Sequence, residues 1–341
     1  MKRNQKGFSL VAIILVICII LVCGVIYYSL TGSGTNLAEQ NYNYEPISNG
    51  ENAADGFYYN QLPNPAKIMY KTILGNIEQL KIGNGEIKFP DSVGESIKEI
   101  NGSAEENYFQ TAWDALALEH LDLFFIDTQN LSLSTRTTSI LGYESYDFTL
   151  SPKDGNLYYS STFNSKEEVE SAITQVNEIA DNIVANAKGS TYDKVKYVHD
   201  WIVDNVEYDN DNLDNNDNIY GTFVNKKVVC EGYAEALKFM LDKLNIPCVL
   251  VYGEGYDDNG NTEAHAWNYV QMDDGKWYAV DPTWDDPIYV GSANGILTNS
   301  KRYAYFLKGS DTFNKNHVSD GDVSGTGQDF KYPELSKEDY K

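Results

Sequence analysis

Cysteine is scarce in this sequence: four occur in 341 residues, and Cys18 and Cys23 both sit in one N-terminal apolar run. That leaves Cys230 and Cys248 for the rest of the chain, too few for a disulfide framework, so a body of this length must rest on a hydrophobic core. Positive charge is also short, with 26 Lys and Arg against 50 Asp and Glu and a formal net charge of −24. Lys2, Arg3 and Lys6 are among those few positives, so the remainder is more acidic still. A body of that sign repels phosphate backbones and anionic bilayer surfaces, which excludes nucleic acid as the expected partner and disfavours peripheral lipid contact. Charge is absent altogether from Phe8 to Leu30. This stretch is long enough to cross a hydrocarbon core as a helix. With Lys2, Arg3 and Lys6 ahead of it, the N-terminus is expected in the cytoplasm and everything after Thr31 outside, as in an uncleaved single-pass signal anchor.

Two rival readings of the leader are weaker. The run KGFSLVAIILV resembles a type IV prepilin processing region cut after Gly7, which would make the chain a pilus or secretion component, but Ala12 stands where such leaders carry glutamate. A lipoprotein reading through Cys23 needs a small residue before it, and Val22 is not one. Beyond the anchor (1–30), a Gly-, Ser-, Asn- and Thr-rich stretch without apolar period reads as a flexible stalk (31–55). Residues 56–164 mix helical patterns (Pro65 to Leu80, Ala104 to Leu121) with β-prone runs (LFFID, YDFTL, NLYYSSTF) in a mainly helical α/β module that carries no visible chemistry. Its Tyr58, Tyr59, Trp113 and Phe124 could line a ligand groove, but aromatics at such spacing are expected in the core.

Residues 165–341 are expected to form the catalytic domain. Ser165 and Glu168 make a capping-box signature, and Val169, Ile173, Val176, Ile179, Ala180 and Ile183 follow at helical spacing, with Gly189 closing the helix. A second helix from Tyr192 to Val206 carries His199, a lone histidine read as structural. Asp209 to Asn218 (DNDNLDNNDN) alternates oxygen ligands, but it has neither the glycine at position six nor the glutamate at position twelve of an EF-hand, so it reads as a solvated loop and no metal is expected.

Chemistry enters with VVCEGYAEALKFMLDKLNIP, which begins a helix at Cys230. A thiol placed there meets the positive end of the helix dipole, which favours the thiolate a nucleophile needs. In HAWNYVQMDDGKWYAVDPTWDDP, alternating aromatic and β-branched residues flank a turn at Asp273, Asp274 and Gly275, so His265 and Asp281 fall on neighbouring antiparallel strands. Histidine takes the thiol proton and returns it to a leaving amine; the carboxylate fixes its tautomer. Parity sets a condition. A two-residue Asp-Gly turn would put Asp281 on the face opposite His265, whereas a three-residue loop with Gly275 left-handed pairs Met272 with Lys276 and makes Asp281 the same-face diagonal neighbour of His265, so that loop or an equivalent single bulge is expected.

The blocks VVCEGYA, HAWNYV and KWYAVDPTWDDP together resemble the signature of the transglutaminase-like superfamily, with all three triad positions matched from Thr191 to about Pro287. KYVHDWIVDNVEYD upstream and RYAYFLKGS downstream resemble bacterial members as well. The resemblance implies an α+β, papain-like core in which a helix carrying Cys230 packs on an antiparallel sheet carrying His265 and Asp281. It also implies acyl transfer through a cysteine thioester, without a cofactor, on a peptide or protein outside the membrane. Cys230 N–H is one expected oxyanion donor and the Tyr220 hydroxyl a second candidate. Trp267 and Trp284 are expected in the site walls, and Asp285 and Asp286 as turn and hydrogen-bonding residues. The competing class is a binding or scaffolding module that retains the fold. Oligomeric state has no signature in the sequence.

Overall fold

The computed structural model describes residues 54, 56–104, 106–141, 143–256, 260–286 and 299–341. The expected anchor (1–30), and all of the stalk (31–55) except Ala54, lie outside them. Among the described residues no helix is long and apolar enough to cross a membrane.

The N-terminal part is built from α1 (Asn64–Leu74), α2 (Ile77–Ile82), α3 (Ser92–Glu99) and α4 (Tyr108–Glu119). The single helical pattern read from Pro65 to Leu80 is broken at Gly75 and Asn76, where the chain turns between α1 and α2. Strands β1 (Ile87–Lys88), β2 (Leu131–Ile140) and β3 (Tyr143–Pro152) form an antiparallel sheet in the order β1-β3-β2. The YDFTL run lies in β3, whereas LFFID and NLYYSSTF share an isolated Ile126–Tyr159 bridge and aromatic ring contacts instead of a strand pairing. Strand β2 escapes the periodicity reading because SLSTRTTSI is polar and mostly exposed, so no buried face imprints an alternation on it. Tyr58, Tyr59, Trp113 and Phe124 are all buried in the core.

The second half opens with α5 (Lys166–Val184), capped by Ser165 Oγ accepting the Glu168 N–H at 3.2 Å. Gly189 does not close this helix. It lies beyond the Ala185 C-cap with φ +100°, in the turn that delivers Ser190 and Asp193 as the capping box of α6 (Thr191–Asn205). The short strands β4 (Glu207–Tyr208) and β5 (Lys227–Val228) pair in parallel and bracket the Asp/Asn-rich loop. That loop is organised from within: Asp209 accepts the N–H groups of Asp211 (2.9 Å) and Leu213 (2.7 Å) and the Asn216 amide (2.8 Å). Helix α7 (Cys230–Lys243) follows β5 directly.

A second antiparallel sheet, of order β8-β7-β6-β9, contains β6 (Cys248–Tyr256), β7 (Thr262–Gln271), β8 (Trp277–Val280) and β9 (His317–Ser319). Helix α7 packs on β6 and β7, burying Tyr233, Ala234, Leu237 and Leu241, and the Asn268 amide on β7 donates to Ala234 O at 2.9 Å. The chain is thus α+β, with the cysteine helix against the sheet as expected. The two halves share contacts within one compact unit. The Tyr58 hydroxyl donates to Leu250 O on β6, and Ser324 and Gln328 reach back to Asp114 and Thr111 on α4.

Candidate active site

The β7–β8 hairpin turns through the three-residue loop that parity requires. Met272 N–H donates to Lys276 O at 3.0 Å, Gly275 N–H to Met272 O at 2.8 Å, and Gly275 has φ +76°. The register Asn268–Val280 and Gln271–Trp277 then sets Asp281 beside Trp267 and diagonal to His265. Diagonal neighbours on one face lie within reach of long side chains. His265 Nε2 is 2.8 Å from Asp281 Oδ2.

Cys230 is the first residue of α7, half-buried, and its side chain interacts electrostatically with that of His265. Because Asp281 holds Nε2, Nδ1 is the imidazole nitrogen left for sulfur. Burial disfavours the charged ring, but the charge and hydrogen bond of Asp281, reinforced by Cys230, outweigh it and push the His265 pKa up to about 10. Burial likewise opposes the Asp281 carboxylate, yet His265 and His317 hold its pKa well below the usual carboxylate range. The other free thiol, Cys248, is fully buried, which drives its pKa far up and leaves it a core residue.

The DPTWDDP segment is a hydrogen-bonding hub. Asp281 Oδ1 accepts the backbone N–H groups of Thr283 (3.0 Å) and Trp284 (3.1 Å). Asp285 pairs with His199 Nε2 at 3.1 Å and accepts Tyr305 N–H at 3.0 Å; Asp286 accepts the Tyr233 hydroxyl at 2.7 Å. Both aspartates therefore fasten α6, α7 and the RYAYFLKGS segment around the turn, and His199 is a buried structural histidine. Trp267 and Trp284 wall the site, their ring centroids 5.8 and 5.3 Å from that of His265.

Tyr220 is placed differently from expectation. Its ring stacks on Phe124 (5.5 Å) and meets Phe163 edge-on (5.3 Å), and its N–H donates to Asn218; these contacts tie it to an aromatic cluster and none is with a triad member. The tyrosine that interacts electrostatically with the cysteine is Tyr208 of β4. Burial, followed by the charges of Cys230, Glu263, Asp209 and Asp281, pushes its pKa up to about 12, so its hydroxyl stays protonated as a donor. Its place beside the site follows from the parallel β4–β5 pairing just before α7, which sequence periodicity over two-residue strands does not expose.

Sequence reasoning also missed His317. Its Nε2 lies 3.1 Å from Asp281 Oδ2, the oxygen that binds His265. The available signal was YGEGY in β6, since glycines inside an apolar strand mark a close approach. In register, Gly253 lies between His265 and Ser319, and Gly255 between Glu263 and His317. A Cβ on Gly255 would sit 2.8 Å from the Trp284 ring, and one on Gly253 2.1 Å from Val318 O. The glycines thus leave room above β6 for Trp284 and let β9 approach. His265, Asp281 and His317 offer ligand atoms within 4.8 Å of one another, a composition suited to a divalent cation; the same atoms are engaged in the hydrogen bonds just described.

Residues 177–282, which include Cys230, His265 and Asp281, match the family model of the transglutaminase-like superfamily. No curated protein matches the chain. Among solved structures, one described as a TGase is similar at 19% identity and TM-score 0.30, over 50% of this chain and 47% of its own, so the chain spans about half of that protein. The periplasmic domain of TgpA from Pseudomonas aeruginosa, bound to ethylmercury, is similar at 16% identity and TM-score 0.27, over 47% of this chain and 69% of its own. Menin, in a structure revealing its binding site for Mixed Lineage Leukemia (MLL) protein, is similar at 18% identity and TM-score 0.29, over 46% of this chain and 34% of its own.

Proposed function

With residues 177–282 a domain of the transglutaminase-like superfamily, we propose that the chain is a cysteine acyl-transfer enzyme acting on a peptide or protein amide outside the membrane. The observation that carries this reading is the convergence of Cys230, His265 and Asp281, with the thiol at a helix N-terminus, its side chain interacting with His265, and the carboxylate buried 2.8 Å behind the imidazole. Cys230 Sγ attacks the amide carbonyl carbon, and the His265 imidazolium gives its proton to the departing amine as the C–N bond breaks. The resulting thioester is opened by water or by an amine, whose proton passes to His265 Nδ1, yielding a carboxylic acid or a new amide and restoring the thiol pair. First-turn N–H groups of α7 have no intrahelical acceptor, so that of Cys230 is one donor for the oxyanion and the Tyr208 hydroxyl a second. The extracytoplasmic placement rests on Lys2, Arg3 and Lys6 ahead of the uncharged run.

The test is selective alkylation. Iodoacetamide at neutral pH is expected to label Cys230 and spare Cys248, and Cys230→Ala is expected to abolish acyl transfer from a glutamine peptide library, assayed with and without an amine, while shifting the melting temperature little. Full activity in that variant would end the enzyme reading; an inert Cys230 in a folded parent would favour a binding or scaffolding module. Protease added to intact cells is expected to digest the region after Thr31, and protection of the whole chain would reverse the topology.

A further inference from the structure

Asp281 receives four N–H groups, and one of them has no place in a three-residue relay. Oδ1 takes the backbone N–H groups of Thr283 and Trp284; Oδ2 lies 2.8 Å from His265 Nε2 and 3.1 Å from His317 Nε2. A carboxylate offers about four lone-pair sites, so this one is fully occupied. His317 is held rigidly for the purpose. Its ring stacks on Phe313 with centroids 4.0 Å apart, leans on Trp284 at 4.4 Å and lies 5.1 Å from Trp267. At the far end Nδ1 is 3.0 Å from Asn316 Oδ1, while the Asn316 amide nitrogen donates to the Tyr305 hydroxyl at 2.7 Å.

His317 sits between two oxygens, and a neutral ring gives its one proton to the charged and stronger acceptor, so Nε2–H faces Asp281 and the Asn316 amide turns its nitrogen toward Nδ1. Burial, aided by the facing His265, outweighs the pull of Asp281 and keeps the His317 pKa below the ordinary histidine range. His317 therefore remains a neutral donor. The other titratable groups interacting with this assembly are Cys230 on α7, Tyr208 on β4, and Asp285 and Tyr305 from the segments after β8.

We propose that His317 is a positioning residue for the acyl-transfer chemistry read above, on which this role rests: its Nε2–H fills the acceptor site of Asp281 Oδ2 that His265 leaves open. The carboxylate is thereby fixed in the orientation that keeps the His265 proton on Nε2 and Nδ1 open toward Cys230. With every lone pair engaged, Asp281 has no site for an incoming proton, so protons move only among sulfur, substrate and His265 Nδ1. The glycines of β6 serve the same end, since a side chain at Gly255 would displace the Trp284 ring on which both histidines rest.

The test compares His317→Phe, which keeps the stacked ring and removes the donor, with His317→Gln, whose amide N–H reaches toward the same oxygen. In the full chain, labelled at its four histidines, imidazole nitrogen NMR is expected to show His317 neutral with its proton on Nε2 near neutral pH. Loss of the donor makes Asp281 grip the His265 proton harder, so in His317→Phe the His265 midpoint rises by about one pH unit, the worth of one charge-assisted hydrogen bond. In His317→Gln it returns close to the parent value. A His317 proton on Nδ1, or a folded His317→Phe in which His265 titrates as in the parent, overturns the proposal. If the Phe variant does not fold, the parent tautomer and the Gln variant decide it alone. Reactivity of Cys230 is read alongside: a reactive cysteine with unchanged His265 refutes the role of His317 only, whereas an inert cysteine with the expected tautomer refutes the acyl-transfer reading and the role together.

Discussion

Asp281→Asn changes charge and proton inventory at constant shape, and the hydrogen-bond pattern dictates two effects of very different size. The amide oxygen still accepts the Thr283 and Trp284 N–H groups at Oδ1. The other end becomes an NH2 group facing two imidazole N–H groups that now lie 2.8 and 3.1 Å from a carboxylate oxygen. Two unmatched charge-assisted bonds would cost roughly 3–6 kcal/mol if nothing moved. Each imidazole escapes by shifting its proton to Nδ1 and accepting from the new amide, so the net loss of stability should be nearer 1–3 kcal/mol. The escape is ruinous for chemistry, because His265 would then present N–H rather than a lone pair to Cys230. With the Asp281 charge gone, burial is opposed only by Cys230, and the imidazolium pKa falls from about 10. Acyl transfer is expected to fall by about three to four orders of magnitude, as removal of a tautomer-fixing carboxylate does in other triads. Thermal unfolding reads the first effect, and the second-order rate of Cys230 alkylation together with turnover reads the second. Turnover within tenfold of the parent, in a variant showing the modest stability loss, would refute the assignment of Asp281 as the group that sets the His265 tautomer.

Two further outcomes follow from other parts of the site. Gly255→Ala places a methyl 2.8 Å from Trp284; overpacking of this kind costs about 1–3 kcal/mol and should slow Cys230 alkylation as the tryptophan and both histidines shift, whereas unchanged melting and labelling would mean that the strand yields instead. His265 binds its proton more tightly in the folded chain, near pH 10, than at its ordinary 6.5. Its contribution is therefore complete below about pH 6.5 and lost as pH rises through about 10, so the stability advantage of the parent over His265→Gln, measured by urea denaturation, should shrink across that window.

How much of this was legible in the sequence depended on whether the information was local. The α7 helix, the hairpin and its three-residue loop were readable because helical period, strand alternation and turn chemistry all act within a few residues. Parity asks for a three-residue loop or an equivalent single bulge to bring Asp281 to the face of His265, and the loop with Gly275 left-handed is the one present. The α5 boundary was misread because Gly189 is a strong stop signal. Its positive φ serves the Ser190 capping box rather than the end of the preceding helix. Polar β2 left no pattern to find.

The partners of Asp281 show where local reading ends. Three of the four N–H donors come from the two matched blocks: His265 from HAWNYV, and Thr283 and Trp284 from DPTWDDP. The fourth arrives from His317, 36 residues downstream of Asp281, on a three-residue strand whose register against β6 is set by backbone pairing and by two missing side chains. No periodicity extends over three residues, and an absent side chain marks a close approach without saying what approaches. The YGEGY run announces that β6 must admit something above it. Only the strand order β8-β7-β6-β9 turns that vacancy into a statement about chemistry, because it sets His265 and His317 on flanking strands with the glycines between them. The candidate triad is therefore a property of three sequence blocks, while the geometry that keeps its carboxylate ionised is a property of the whole sheet.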